Sequence, residues 1–213
     1  MRKLYFSNGS PFARKVRIVL LEKGLDFEAD VNDAVRPIEE IQPLNPALQV
    51  PVLEDEGRRL FSSNLIISYL FERYPNPAAS FDLPPLAPSV TRPECHWDDS
   101  LLLSVIESMA DSLVNVRLME GAAEDEVPFL GRQRFRIGSC LDWLEARVTE
   151  EGFWPGCFSV MDINLMCPLL YGEKRGVFDF RSGRWPKIAG MIDAVQARPS
   201  VANTPVNDWP PKS

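Results

Sequence analysis

Ser10-Pro11-Phe12-Ala13-Arg14-Lys15-Val16-Arg17 decides the reading of this chain. It follows a short apolar run, Leu4-Tyr5-Phe6, that reads as a strand. Pro11 suits the first position of a helix, and Ser10 before it suits the N-cap. The helix runs to Glu22, with Gly24 just past its end. Phe12, Val16, Val19 and Leu20 fall on one helical face and predict the side that packs.

Working outward, Phe27 to Val31 reads as a second strand and Ile38 to Ile41 as a helical turn stopped by Pro43 and Pro46. Val50 to Glu54 and Arg59 to Phe61 flank Asp55-Glu56-Gly57, which predicts a hairpin with a tight turn. Asn64 to Tyr74 then reads as a helix, with Ile66, Tyr69 and Leu70 on one face, ending before Pro75-Asn76-Pro77. The order β-α-β-α-β-β-α implies a small mixed sheet with helices on both faces.

Residues 78–88 carry Pro84, Pro85 and Pro88 and read as a linker. Beyond it the pattern is helical. Leu102, Val105, Met109, Leu113 and Val116 form one stripe, Ile137, Leu141, Leu144 and Val148 another, and Ile188, Met191, Ile192 and Val195 a third. Ser159-Val160-Met161-Asp162 has the spacing of a capping box ahead of an apolar run, Ile163–Tyr171. That helix is apolar nearly all round, so it is expected to be buried, with a kink at Pro168. The tail Asn203–Ser213 is expected to lie irregularly on the surface.

The 213 residues are 45% hydrophobic and 25% charged, as in an ordinary globular protein. A net charge of −7 with no basic run gives no support for nucleic-acid binding. The first residues lack a signal-peptide core, and no apolar stretch is long enough to span a bilayer, so the expected location is cytoplasmic and off the membrane. Cys95, Cys140, Cys157 and Cys167 form no C-x-x-C pair and are expected as reduced thiols. With His96 as the one histidine, a zinc site of the usual kind is not expected.

Three places carry chemistry. Ser10 is placed at a helix N-cap, where its hydroxyl faces backbone N–H groups and the positive end of the dipole; a plain structural cap explains it equally. Val50-Pro51 permits a cis bond before a strand, which would turn the Val50 backbone outward to pair with an extended peptide. Ser63, read as the cap of the helix Asn64–Tyr74, would hold a free carboxylate together with that helix end. Gln49 adds a possible amide contact, Ser7 and Asn8 are substitutes for Ser10, and Arg14 either meets a ligand or pairs with an acid. Together the three places suit a small acidic thiol peptide. Lowering a thiol pKa from ~8.5 by about two units takes roughly 2.7 kcal/mol. One hydroxyl donor to a charged group supplies ~1.5–3 kcal/mol and a helix end ~0.3–1 kcal/mol. Ser10 and its helix are therefore sufficient without a general base.

These residues resemble the cytosolic glutathione transferase superfamily. Residues 10–24 are similar to its serine-type classes, 45–53 to the segment with the family's cis proline, and 62–66 to its Glu-Ser-x-x-Ile. The resemblance implies an N-terminal thioredoxin-like domain over 1–77, a linker over 78–88 and a C-terminal helical-bundle domain over 89–213. It implies glutathione as co-substrate, with Ser10 holding its sulfur, Val50 beside the cis Pro51 pairing with the cysteinyl unit, and Ser63 holding the γ-glutamyl carboxylate. Ser62 departs from the pattern by standing where the family has an acid. The implied reaction is conjugation of the glutathione thiolate to a small hydrophobic electrophile packed against Trp97, Leu101 and Ser104, in a homodimer. Ser in place of Cys argues against mixed-disulfide exchange. Two alternatives stay open: a non-catalytic regulator resembling the stringent starvation protein, which binds RNA polymerase, through Val16 to Gly24 and Tyr69 to Pro75, and a glutathione-dependent reductase or peroxidase.

Overall fold

β1 (Lys3–Phe6) alternates half-buried and buried side chains, and Leu4 and Phe6 point into the core. A computed structural model describes residues 1–33, 36–75, 86–87, 95–119, 128–154 and 156–207 of the chain. By internal contacts the chain divides into two compact units, Met1–Ala79 with Arg198–Ser213, and Ser80–Ala197.

In the first unit β1 is central. It pairs in parallel with β2 (Glu28–Val31) and antiparallel with β3 (Val52–Asp55), which pairs antiparallel with β4 (Arg58–Phe61), giving the order β2-β1-β3-β4. The hairpin turn is Glu56-Gly57, with φ of 49° and 75°. Two successive positive φ values match the twist of the strands, which is why a glycine sits there. α1 (Pro11–Glu22) links the two parallel strands and packs against α3 (Ser63–Arg73); α2 (Ile38–Ile41) is a single turn.

α1 is buried more widely than its apolar stripe predicts. Phe12 is only half-buried, whereas Ile18, Arg14 and Lys15 are buried beside Val16, Val19 and Leu20. Long cationic side chains can cover apolar surface with their stems if the head finds an acceptor. Lys15 donates to Asn64 Oδ1 at 3.2 Å, and Arg14 reaches the Val201 carbonyl at 3.4 Å. Val201 lies in α8 (Pro199–Ala202). Just ahead of the expected tail, Arg198 makes two 2.6 Å bonds to Glu22 and Ser200 donates to the same carboxylate; residues 203–207 of the tail carry no helix or strand, as expected, but Thr204 is buried, with its hydroxyl on the Ser200 carbonyl at 2.9 Å. Residues 208–213 lie outside the described residues, as does the expected linker except for 86–87.

The second unit is helical: α4 (His96–Met119), α5 (Pro128–Glu145), α6 (Val160–Lys174) and α7 (Pro186–Gln196). One addition to the expected all-helical character is a two-residue parallel pairing of β5 (Leu86–Ala87) with β6 (Phe158–Ser159). The buried stripe of α4 is Leu102, Ile106, Met109, Leu113 and Val116; Val105 is half-buried, because steps of four and three residues, not three and four, keep the face inward. Val148 is buried beyond the end of α5, and Val195 is half-buried. α6 is buried almost all round, as its composition requires, and Pro168 is inside it. The chain thus combines a thioredoxin-like sheet unit with a helical unit.

Candidate active site

Sheet register decides where the three candidate places lie. Tyr5, Val52 and Phe61 stand in one row across β1, β3 and β4. The chain leaves that row through Phe6 toward Ser10, is reached from Val50-Pro51, and leaves again through Ser62-Ser63. All three places therefore emerge at the same end of the sheet. Lys15 adds a tie from α1 to the first turn of α3 through Asn64.

Ser10 is the N-cap of α1, with φ −83° and ψ 120°, and its Oγ accepts from the Ala13 N–H at 3.2 Å. Capping uses a lone pair and leaves the hydroxyl proton to donate elsewhere. Ser10 is half-buried, so the residue is open to a ligand. Of the substitutes for Ser10, Ser7 accepts from the Gly9 N–H through its Oγ and, like Ser10, keeps its proton. Asn8 is otherwise engaged: it holds Asp33 through its backbone and side-chain nitrogens at 2.7 and 3.0 Å while accepting from Arg17. Tyr5 is no substitute either, because its hydroxyl donates to Glu54 at 3.1 Å.

The Val50-Pro51 bond is cis. Val50 is half-buried and lies before β3, and among the described residues its backbone makes no hydrogen bond. A half-buried N–H and C=O with no protein partner want a ligand or water. Pro51 is buried. Gln49 is exposed, and its carbonyl accepts from Asn45 Nδ2 at 2.8 Å, so its side chain remains available.

The start of α3 corrects the expected cap. Ser62, not Ser63, is the N-cap, and Ser63 is the first helical residue. Ser62 has φ 71° and ψ 118°, a conformation costly for a residue with a Cβ, and its side chain makes no capping bond. The first N–H bonded inside the helix is that of Ile66, to the Ser62 carbonyl at 3.0 Å. The N–H groups of Ser63, Asn64 and Leu65 are therefore open, and the Ser63 hydroxyl, in a residue 6% exposed, makes no hydrogen bond among the described residues. Neither α1 nor α3 has an acid in its first turn, whereas α4 has Asp98 and Asp99 and α6 has Asp162. Two positive helix ends without an acid, at one end of a sheet, favour negative charge there.

Sequence reasoning missed the Lys15–Asn64 link, because nothing in a helical pattern marks a lysine for burial. It missed the Ser62 backbone because φ is not legible from residue type. Of the co-substrate candidates on α4, Trp97 is 82% exposed, Ser104 is exposed, and Leu101 borders a cavity of about 300 Å³ within the helical unit. Among the described residues no group of His, Cys, Asp or Glu has the closeness a metal ion needs, and no helix is long and apolar enough to cross a membrane.

A thioredoxin-like sheet unit with open helix ends beside a cis proline, followed by a helical unit, defines a protein of glutathione transferase type. The family profile "Glutathione S-transferase, N-terminal domain" matches residues 4–78. The maleylacetoacetate isomerase of Pseudomonas aeruginosa is 32% identical over 93% of this chain and 92% of its own. A stringent starvation protein A homolog of Pasteurella multocida is 42% identical, but over 31% of each chain. Among solved structures, a glutathione S-transferase of Methylobacterium radiotolerans in complex with glutathione sulfonate superposes with a TM-score of 0.81 at 26% identity, over 100% of this chain and 98% of that one. The chain belongs to the cytosolic glutathione S-transferase superfamily.

Proposed function

We propose that this protein is a glutathione transferase that joins the glutathione thiolate to a small hydrophobic electrophile. Residues 1–77 would bind glutathione, 78–88 would link, and 89–213 would supply the co-substrate wall at Trp97, Leu101 and Ser104. The γ-glutamyl carboxylate takes the open N–H groups of α3 and the Ser63 hydroxyl, with Ser62 and Gln49 at the rim. The cysteinyl unit pairs with the Val50 backbone beside Pro51, as an added strand would. The sulfur then reaches Ser10.

The thiol proton leaves to solvent, and the Ser10 hydroxyl donates to the sulfur that remains. The thiolate lone pair forms a carbon–sulfur bond, and the leaving group departs with its electron pair. In an addition, the displaced π pair takes a proton from solvent instead. An isomerisation, the activity in the name of the Pseudomonas relative, can begin with the same attack of the thiolate on carbon and end with loss of the thiolate. The reading includes a cytoplasmic homodimer active in detoxification.

The observation that carries it is the open start of α3 at the same sheet end as the free Ser10 donor. Titration with reduced glutathione, followed by thiolate ultraviolet absorbance, tests it. Wild type is expected to bind with thiolate formation, and Ser10→Ala to bind while losing roughly tenfold or more of the thiolate at neutral pH. Failure to bind at millimolar glutathione would sink the enzyme reading. It would favour the regulator, which has its own support in the 42% identity to the stringent starvation protein A homolog over 66 residues.

A further inference from the structure

The helical unit holds a second feature with chemistry of its own. The cavity of about 300 Å³ is lined from three stretches of that unit: the first turns of α4, the end of α5 with Arg147 just beyond it, and the loop ahead of α6. That volume lies at the lower end of the ~300–1,000 Å³ usual for small-ligand sites.

Its charges are Asp98 and Asp99 against Arg147. Asp98 is exposed, while Asp99 is 1% exposed and has partners within the protein without losing its place in the wall. Three rings, Trp143 and Phe153, both half-buried, and the buried Trp154, complete the lining with Leu101 and Leu102. Arg147 is committed to the wall. Its guanidinium carbon lies 3.5 Å from the centre of the Trp143 ring, and Nη1 donates to the Trp143 carbonyl at 2.8 Å. The protein thus already seats one cation on the Trp143 ring, which leaves Phe153 and Trp154 as the rings for a ligand.

We propose that this cavity binds a small organic cation of quaternary-ammonium type. Ionised carboxylates only accept, and aromatic faces carry negative potential, so both kinds of wall favour positive charge. An anion would meet two carboxylates. A neutral apolar ligand would press hydrocarbon on a buried carboxylate and gain nothing from it. A bare metal ion fits poorly, because among the described residues no third His, Cys, Asp or Glu joins Asp98 and Asp99 closely enough to hold one.

The test is a titration of the purified protein with choline, beside its uncharged tert-butyl isostere, read by tryptophan fluorescence. Choline is expected to saturate, and the isostere to bind roughly tenfold more weakly or worse. Asp98→Asn, at an exposed position with little bearing on folding, is expected to weaken choline roughly tenfold. Phe153→Leu is expected to weaken it too, with circular dichroism unchanged in both variants. No saturation by choline, equal binding of the isostere, or unaltered affinity in both variants would each overturn the proposal. Glutathione binding is read separately and its failure leaves this result standing, since no residue of the glutathione site lines the cavity.

Discussion

α6 and α3 both start beside serines and treat their first turns in opposite ways. At α6 the box is closed: Ser159 Oγ accepts from the Asp162 N–H at 3.2 Å, and the Asp162 carboxylate accepts from the Ser159 N–H and hydroxyl, both at 2.7 Å. The Phe153 N–H reaches the same carboxylate at 3.0 Å, and Gly152 lies so close that a Cβ would meet Asp162 Oδ1 at 2.7 Å. At α3 the cap residue has turned away, and among the described residues three N–H groups and the Ser63 hydroxyl have no partner. A closed helix start stabilises the fold, whereas an open one costs stability that only a ligand or water can return. The difference separates a folding element from the proposed binding element within one chain.

The largest break is at the closed end. Asp162→Ala strands three donors around a residue 1% exposed and leaves a hole beside Gly152. The expected loss is ~3 kcal/mol or more in a denaturant titration, with glutathione affinity of the surviving folded protein unchanged. A loss under ~1 kcal/mol would mean the box is dispensable. Burial pushes the Asp162 carboxyl up, and the Ser159 and Phe153 donors pull it back, so this group is held by its neighbours and not by water.

The open end should behave in reverse. Ser63→Ala removes a hydroxyl with no partner among the described residues, so stability is expected to stay within ~0.5 kcal/mol. Glutathione affinity, by calorimetry, is expected to fall roughly tenfold, the worth of one hydrogen bond to a carboxylate. A drop in stability with unaltered affinity would make Ser63 a structural residue and erase the contrast.

How much of this the sequence disclosed follows the same division. The closed box is local: Ser159 and Asp162 are three apart, and the pattern alone predicts their bonds. The open end was misplaced by one residue, because Ser62 and Ser63 are both acceptable caps and only the backbone at Ser62 decides between them. The gathering of Ser10, Val50 and Ser63 at one sheet end is a matter of register, which the hairpin at Glu56-Gly57 and the apolar alternation of β1 made legible in outline. Burial of Lys15, and the return of Arg198 and Ser200 to Glu22, depend on contacts between residues far apart in the chain. No local pattern marks such contacts.

The far end of α1 extends the contrast from N-termini to a C-cap. Lys23 is the C-cap, buried, with its ammonium 4.1 Å from the Phe71 ring centre, and burial lowers its pKa to about 8. A lysine pKa lower in the folded than in the unfolded chain stabilises above the unfolded value, and that benefit is lost as pH falls through about 8. At neutral pH the buried charge is a cost. Lys23→Met is therefore expected to gain about 1 kcal/mol at pH ~7, with the gain shrinking as pH rises through the folded pKa. Thermal melts of both proteins across that range check the sign, and a gain that grows with pH would refute it.

The smallest and sharpest prediction concerns Ser62. Its φ of 71° is unfavourable for any residue with a Cβ, and its hydroxyl caps nothing. Glycine meets that backbone without the steric cost but adds freedom to the unfolded chain. The two effects nearly offset, and Ser62→Gly is expected to gain ~0.5 kcal/mol. Ser62 also forms the rim of the proposed carboxylate site, so the same variant is expected to bind glutathione a few-fold more weakly. Stability and affinity then move in opposite directions from one substitution, which is the mark of backbone strain kept for a ligand. If both fell together, the serine side chain would be holding the start of α3 in place. The contrast with Ser159 would then be one of degree.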